Sequence, residues 1–296
     1  MKYALFLLCL AFPLNIFAQN PKTISGEGIA GEIIRYENFA SKFVEARNVD
    51  VWLPPGYAAN PNKKYAVVYM HDGQNLFNPK ESYGGVDWGV DETMTSLIAE
   101  KKINEAIVVG IWNTPKRIIE YAPHKPFDMV NRKGIKDSDL ARPKEGDSDK
   151  YLKFIVSELK PFIDQNYSTA QDRANTFILG SSMGGLISLY AVSEYPKVFG
   201  GAGGVSTHFP LGDGVMLGYL KKYLPSPKSH KIYFDYGTET LDAEYEPFQL
   251  KADAIMKKKG YKPDVNWITR KFAGEDHSEK SWRKRVDIPL TFFLAK

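Results

Sequence analysis

The turn Gly180-Ser181-Ser182-Met183-Gly184-Gly185 holds the residue best placed to do chemistry. Asn175-Thr-Phe-Ile-Leu179 enters it as a short apolar, partly β-branched run, and Leu186-Ile-Ser-Leu-Tyr-Ala191 leaves it with helical spacing. A strand, a sharp turn and a helix would put Ser182 at the centre of Gly-x-Ser-x-Gly, where a strained backbone lifts Oγ clear of a sheet. The flanking glycines avoid collisions with the neighbouring strand and helix. The helix N-terminus and the Met183 N–H would then face an oxyanion. Ser181 is the rival nucleophile but lies off the motif's centre, and the plain alternative is a glycine-rich turn with an incidental serine.

A serine hydroxyl needs a base to take its proton, and that base is usually a histidine steadied by a carboxylate. Of the five histidines, His277 lies in the polar loop Lys271-Phe-Ala-Gly-Glu-Asp-His-Ser-Glu-Lys-Ser-Trp282 after the last expected strand, and is the expected base. His71 follows an early strand, where an oxyanion loop belongs. His208 follows the strand after the turn and is expected to line the pocket, while His124 and His230 are expected in solvent. The acid should come from Gly237-Thr-Glu-Thr-Leu-Asp242; Asp242 is favoured because it lies farther round the loop toward the histidine, with Glu239 the alternative. A second oxyanion donor is expected from the Gln74 N–H in His71-Asp72-Gly73-Gln74, with Gly73 permitting close approach of the main chain. No histidine pair has metal-ligand spacing, so no metal is expected.

These residues need a scaffold. Lys64-Tyr-Ala-Val-Val-Tyr-Met70, Ala106-Ile-Val-Val-Gly-Ile111, 199–205, 231–236 and 265–270 read as buried strands, preceded by an antiparallel pair at 31–36 and 47–53. Helical spacing at 88–101, 151–165, 248–259 and 288–294 alternates with them, which predicts an α/β fold with a mostly parallel, doubly wound sheet and helices on both faces. Pro161 is expected to kink the last turn of its helix. Residues 112 to about 149 read as a long irregular loop on the substrate side.

The hydrophobic fraction of 43% allows a large core, and a formal charge of +4 with scattered basic residues leaves no nucleic-acid footprint. Residues 1–18 have a short basic start, an apolar stretch too short to span a bilayer comfortably and a small residue before Gln19. They read as a signal peptide cut after Ala18, which predicts a periplasmic or extracellular product without a membrane span, formed by one domain over 19–296. The single cysteine, Cys9, lies within that leader.

Several segments in order, Val67-Val-Tyr-Met-His-Asp-Gly-Gln-Asn-Leu-Phe77, Arg117 with Glu120-Tyr121-Ala-Pro123, Glu158-Leu-Lys-Pro-Phe-Ile163, the Ser182 turn, and Gly274-Glu-Asp-His277 with Trp282, resemble the Putative esterase family of α/β-hydrolases. That group holds carbohydrate esterase family one, ferric-siderophore esterases, S-formylglutathione hydrolases and mycolyltransferases. The resemblance implies a cofactor-free Ser-acid-His hydrolase of acyl esters, with Ser182 as nucleophile, His277 as base and the Gln74 and Met183 amides as oxyanion donors. Members often carry their acid where this chain has Thr240, and Ser-Pro before an aromatic where it has Ser206-Thr-His-Phe209. The resulting expectation is a secreted serine esterase for acetyl or feruloyl groups on carbohydrate, with His208, Trp112, Arg117 and Tyr121 at the substrate. The alternatives are a catecholate-siderophore esterase, which would need clustered cations such as Arg117, Lys125 and Arg132, and a hydrolase-fold binding protein without activity.

Overall fold

The computed structural model describes residues 21–26, 28–130 and 146–296. The leader at 1–18, its Cys9, and Arg132 lie outside them. The strands are β1 (Lys22–Ile24), β2 (Glu32–Phe39), β3 (Arg47–Leu53), β4 (Ala66–His71), β5 (Ala106–Ile111), β6 (Thr176–Ser181), β7 (Gly201–Val205), β8 (Lys231–Tyr236) and β9 (Trp267–Lys271). The helices are α1 (Val90–Ala99), α2 (Arg117–Tyr121), α3 (His124–Asp128), α4 (Ser148–Phe154), α5 (Lys160–Asn166), α6 (Met183–Glu194), α7 (Val215–Tyr223), α8 (Glu246–Lys259), α9 (Glu279–Arg283) and α10 (Asp287–Leu294).

The strands form one sheet in the order β1-β2-β3-β5-β4-β6-β7-β8-β9, antiparallel from β1 to β5 and parallel from β5 to β9. The near-continuous apolar runs are strands covered on both faces. Along β4, Val67 and Tyr69 join the layer beneath α4, α5 and α6, while Val68 and Met70 join the layer beneath α1 and α10. The period of two thus divides one apolar strand between two cores. Because β4, β6, β8 and β9 run parallel, the loops after them open at the same edge, and the reversal of strand order at β4 makes the crevice where open α/β sheets bind ligands.

Several local expectations are corrected. Residues 112–130 are not one irregular loop, since α2 and α3 form there. Glu120 in α2 accepts two bonds from buried Arg47, at 2.9 and 2.7 Å, so a tertiary ion pair fixes a helix that local propensity does not announce. The distortion associated with Pro161 lies ahead of it, as a π-helical turn at Ile155–Leu159 that joins α4 to α5. Loosening that turn removes the clash between the proline ring and the carbonyl four residues earlier. Strand β1 and helices α7 and α9 add to the expected elements; β1 is three residues long and is defined by its pairing with β2.

Candidate active site

Ser182 sits between the last residue of β6 and the first of α6 with φ 55° and ψ −119°, a conformation that costs a non-glycine residue about 1–3 kcal/mol. Tertiary contacts impose it. The Ser182 N–H donates to the Val205 carbonyl at 2.9 Å and its own carbonyl accepts the His208 N–H at 3.2 Å, tying the turn to the end of β7. Gly180 is required here: a Cβ would lie 2.8 Å from the Gly184 carbonyl carbon, so only glycine lets β6 and α6 close so tightly. Met183 opens α6, and an N–H in a first helical turn has no acceptor within its own helix.

His277 lies in the loop after β9, and Asp242 in a 3-10 turn, Thr240–Glu244, after β8. The two loops are laced together: Thr238 and Glu239 N–H donate to the Glu275 carbonyl at 2.9 and 3.1 Å, and the His277 N–H donates to Thr240 Oγ1 at 3.0 Å. Across this junction His277 Nδ1 meets Asp242 Oδ1 at 2.5 Å. Asp242 is buried, and its Oδ2 accepts from Ser206 Oγ at 2.5 Å and from the Gly237 N–H at 2.6 Å. Burial works against its charge, but the bonds from His277, Ser206 and Gly237 prevail and hold the carboxyl below its ordinary range. Glu239, the alternative acid, is exposed on the same loop.

Ser182 and His277 line one cavity of about 370 Å³, together with Gln74, Asn75, Tyr83, Arg117 and Glu279. The Gln74 loop is held from three sides. Asp72 takes the left-handed conformation at φ 57°, and Gly73 packs so closely on β5 that a Cβ would lie 2.5 Å from the Gly110 carbonyl carbon. Gln74 Oε1 accepts the Asn113 N–H at 3.2 Å. The Asp72 carboxylate receives Arg117 Nε and Nη2 at 2.7 and 2.8 Å and Asn113 Nδ2 at 2.6 Å. These partners outweigh the burial of Asp72 and keep its carboxyl below the usual range.

The other residues singled out in the sequence distribute differently. Trp112 is turned away from the cavity: its Nε1 donates to Asp50 Oδ2 at 2.8 Å and its ring lies under Arg35. Tyr121 is buried against His71 and Tyr151, and its hydroxyl accepts the Asp72 N–H at 3.3 Å, so it supports the Gln74 loop from behind. Burial pushes the His71 imidazole down to about 3, leaving it neutral beside the Tyr151 hydroxyl. His208 bonds Tyr245 Oη through Nδ1 at 2.7 Å, and the Tyr245 ring stands edge-on to His277. Sequence reasoning missed Tyr245; its place three residues after Asp242 in a tight turn was the available signal. His230, expected in solvent, is buried with Nε2 at 2.9 Å from the Pro196 carbonyl.

Among the described residues, the carboxylates of Asp87, Asp91 and Glu92 approach within 4.8 Å of one another as metal ligands would. Arg283 already donates to Asp87 and Glu92 at 2.7 and 3.0 Å, and Asp91 accepts the Ala30 N–H at 2.6 Å.

Comparison with known proteins agrees with this architecture. The Bacillus subtilis uncharacterized protein YbbA is 27% identical over 84% of this chain and 93% of its own length. The endo-1,4-beta-xylanase/feruloyl esterase of Xylanibacter ruminicola is 26% identical over 81% of this chain, which covers 28% of that longer protein. A solved ferulic acid esterase superposes with a TM-score of 0.64 at 19% identity, covering 90% of this chain and 99% of that one, and so shares the fold. Residues 41–287 match the Putative esterase family. The chain belongs to that family and is a carboxylic ester hydrolase of the α/β-hydrolase fold.

Proposed function

We propose that the protein is an exported serine esterase that removes acetyl or feruloyl groups from carbohydrate through an acyl-enzyme. The observation that carries this reading is the 2.5 Å contact of His277 Nδ1 with Asp242, made at the wall of the cavity that Ser182 also lines. With Nδ1 engaged, Nε2 is the nitrogen left to remove the Ser182 proton as Oγ attacks the ester carbonyl. The resulting oxyanion is held by the Met183 and Gln74 N–H groups, whose positions α6 and the Gly73 contact fix in advance. The same nitrogen protonates the departing alcohol, and water then releases the acid from Ser182 by the reverse sequence. Asp242, fixed and ionised, stabilises the imidazolium formed at each stage.

The charge around the cavity favours neutral esters. Arg117 is committed to Asp72, and Lys125 is paired with Glu194, so neither is spare for a catecholate anion. Among the described residues that line the cavity, the carboxylate of Glu279 then sets the sign of the charge. Tyr83, 80% exposed at the rim, offers a flat face to a sugar or a feruloyl ring. The feruloyl esterase named among the relatives supports the same substrate class. Export rests on residues 1–18, and the mature chain would begin at Gln19.

The test is a hydrolysis panel of acetylated xylan, methyl ferulate and a catecholate trilactone, with labelling by a fluorophosphonate. Turnover of one of the first two, lost in Ser182→Ala together with labelling, is the expected result. Preference for the trilactone, or turnover that survives Ser182→Ala, would sink the proposal. Mass spectrometry of protein recovered outside the cytoplasm should find Gln19 at its N-terminus.

A further inference from the structure

The carboxylate of Asp242 uses one oxygen on each side: Oδ1 meets His277, and Oδ2 meets Ser206 Oγ at 2.5 Å and the Gly237 N–H at 2.6 Å. Ser206 follows β7 directly, is completely buried, and adopts φ 42°, in the left-handed region that residues with a side chain seldom occupy. A serine hydroxyl has one hydrogen to give and two lone pairs to receive. Both neighbours on its far side can only donate: Trp282 Nε1 at 3.1 Å and Arg285 Nη2 at 2.9 Å. The single Ser206 hydrogen is thereby aimed at Asp242 Oδ2, and the hydroxyl has no rotational freedom left.

We propose that Ser206 and Arg285 are positioning residues for the serine-esterase reaction, acting through Asp242 to present Oδ1 to His277; the inference rests on the functional reading above. Arg285 is 2% exposed, and its Nη2 also reaches Asp235 Oδ1 at 3.1 Å. The same Asp235 oxygen accepts the Ser206 N–H at 3.1 Å, while its other oxygen takes the Tyr233 hydroxyl at 2.8 Å. One buried ion pair therefore grips Ser206 by both its amide and its hydroxyl, which explains how the left-handed backbone is held. Nε and Nη1 of Arg285 have no hydrogen-bond partner among the described residues. The guanidinium lies over the Phe272 ring, 4.7 Å from its centroid, which holds it with Nη2 toward the junction of Asp235 and Ser206. The Trp282 indole that donates to Ser206 also stands edge-on to the imidazole, with ring centroids 5.0 Å apart, so one side chain borders both members of the pair.

The arrangement also has an electrostatic consequence. The guanidinium lies one hydroxyl away from Asp242, and the Ser206 bond is among the contacts that keep Asp242 ionised. Without it the carboxylate is more basic and less firmly oriented. Asp242 then takes up a proton at higher pH, and fewer molecules hold Oδ1 in line.

Ser206→Ala tests this, with p-nitrophenyl acetate followed from pH 4.5 to 8 and the rate of fluorophosphonate labelling of Ser182 measured alongside. The expected result is a fall in kcat of about 10- to 30-fold with KM within about twofold, and a matching fall in labelling rate. The acidic limb of the kcat/KM profile should move up by roughly half a pH unit. Trp282→Phe, which removes one donor and keeps a ring, should move the limb the same way with a smaller loss of rate, and it decides the matter if the alanine variant does not fold. A folded Ser206→Ala enzyme with wild-type kcat and an unmoved limb overturns the inference while leaving the esterase reading intact. A wild-type protein inert to both ester and probe overturns both.

Discussion

Arg117 closes a bidentate ion pair on Asp72, Nε to Oδ1 at 2.7 Å and Nη2 to Oδ2 at 2.8 Å, directly beneath the loop that presents the Gln74 amide. Arg117→Met should cost roughly 3 kcal/mol, because it leaves a buried carboxylate without its cation. The pH dependence carries the signature. In the wild type the Asp72 carboxyl is depressed, so its contribution is complete above the ordinary carboxylate value near 4 and is lost as the pH falls through the native value. In the variant, burial is opposed chiefly by the Asn113 bond and raises that carboxyl, so stability should increase as the pH falls from about 7 to 5. Urea denaturation at several pH values measures this; parallel profiles for the two proteins would contradict it.

Asp242→Asn should lower kcat/KM on an aryl acetate by about 10⁴-fold, since an amide can hold the imidazole in the wrong tautomer and cannot stabilise the imidazolium. Glu239→Gln, three positions earlier on the same loop and exposed, should stay within about twofold. Equal losses in the two variants would mean that the loop matters but the 2.5 Å contact does not.

Gly73→Ala introduces a Cβ only 2.5 Å from the Gly110 carbonyl carbon. Backbone cannot swing aside as a side chain can, so the loop must lift from β5. The expected loss is about 2 kcal/mol of stability, by analogy with overpacked cores, and at least about 10-fold in kcat/KM as the Gln74 amide moves. A variant that loses stability and keeps its rate would remove Gln74 from the oxyanion site.

Burial, with the nearby Asp72 charge, raises the Glu279 carboxyl at the cavity wall. Glu279→Gln removes the charge and preserves the shape. Hydrolysis of mono-p-nitrophenyl succinate should improve by about fivefold, equivalent to ~1 kcal/mol of relieved repulsion, with p-nitrophenyl acetate unchanged within about twofold. A uniform change on both esters would mean that Glu279 does not discriminate by charge.

Much of the scaffold was legible because its signals are local. The continuous apolar runs of β4 and β5, the helical spacing of α1 and α8, and the glycines around Ser182 each follow from residues within a few positions of one another. Elements defined by distant partners were not legible: α2 depends on Glu120 meeting Arg47, and β1 on pairing with β2. Aromatic and imidazole side chains misled for the same reason. Trp112 reads as a substrate-side residue and His230 as a solvated one until Asp50 and the Pro196 carbonyl supply their partners.

The sequence by itself determined the order of strands β2 to β9 and of the helices with clear apolar spacing, the serine at the sharp turn, and the short list of groups able to serve it. The tertiary structure alone decided which of two carboxylates on one loop faces His277. That choice depends on the 3-10 turn at Thr240–Glu244, laced to Glu275 and His277 of a different loop, which turns position 242 inward and leaves 239 in water. It also decided that Ser206 stands behind that carboxylate, since the junction of β7, β8 and the Trp282–Arg285 segment exists only once the parallel strands are side by side.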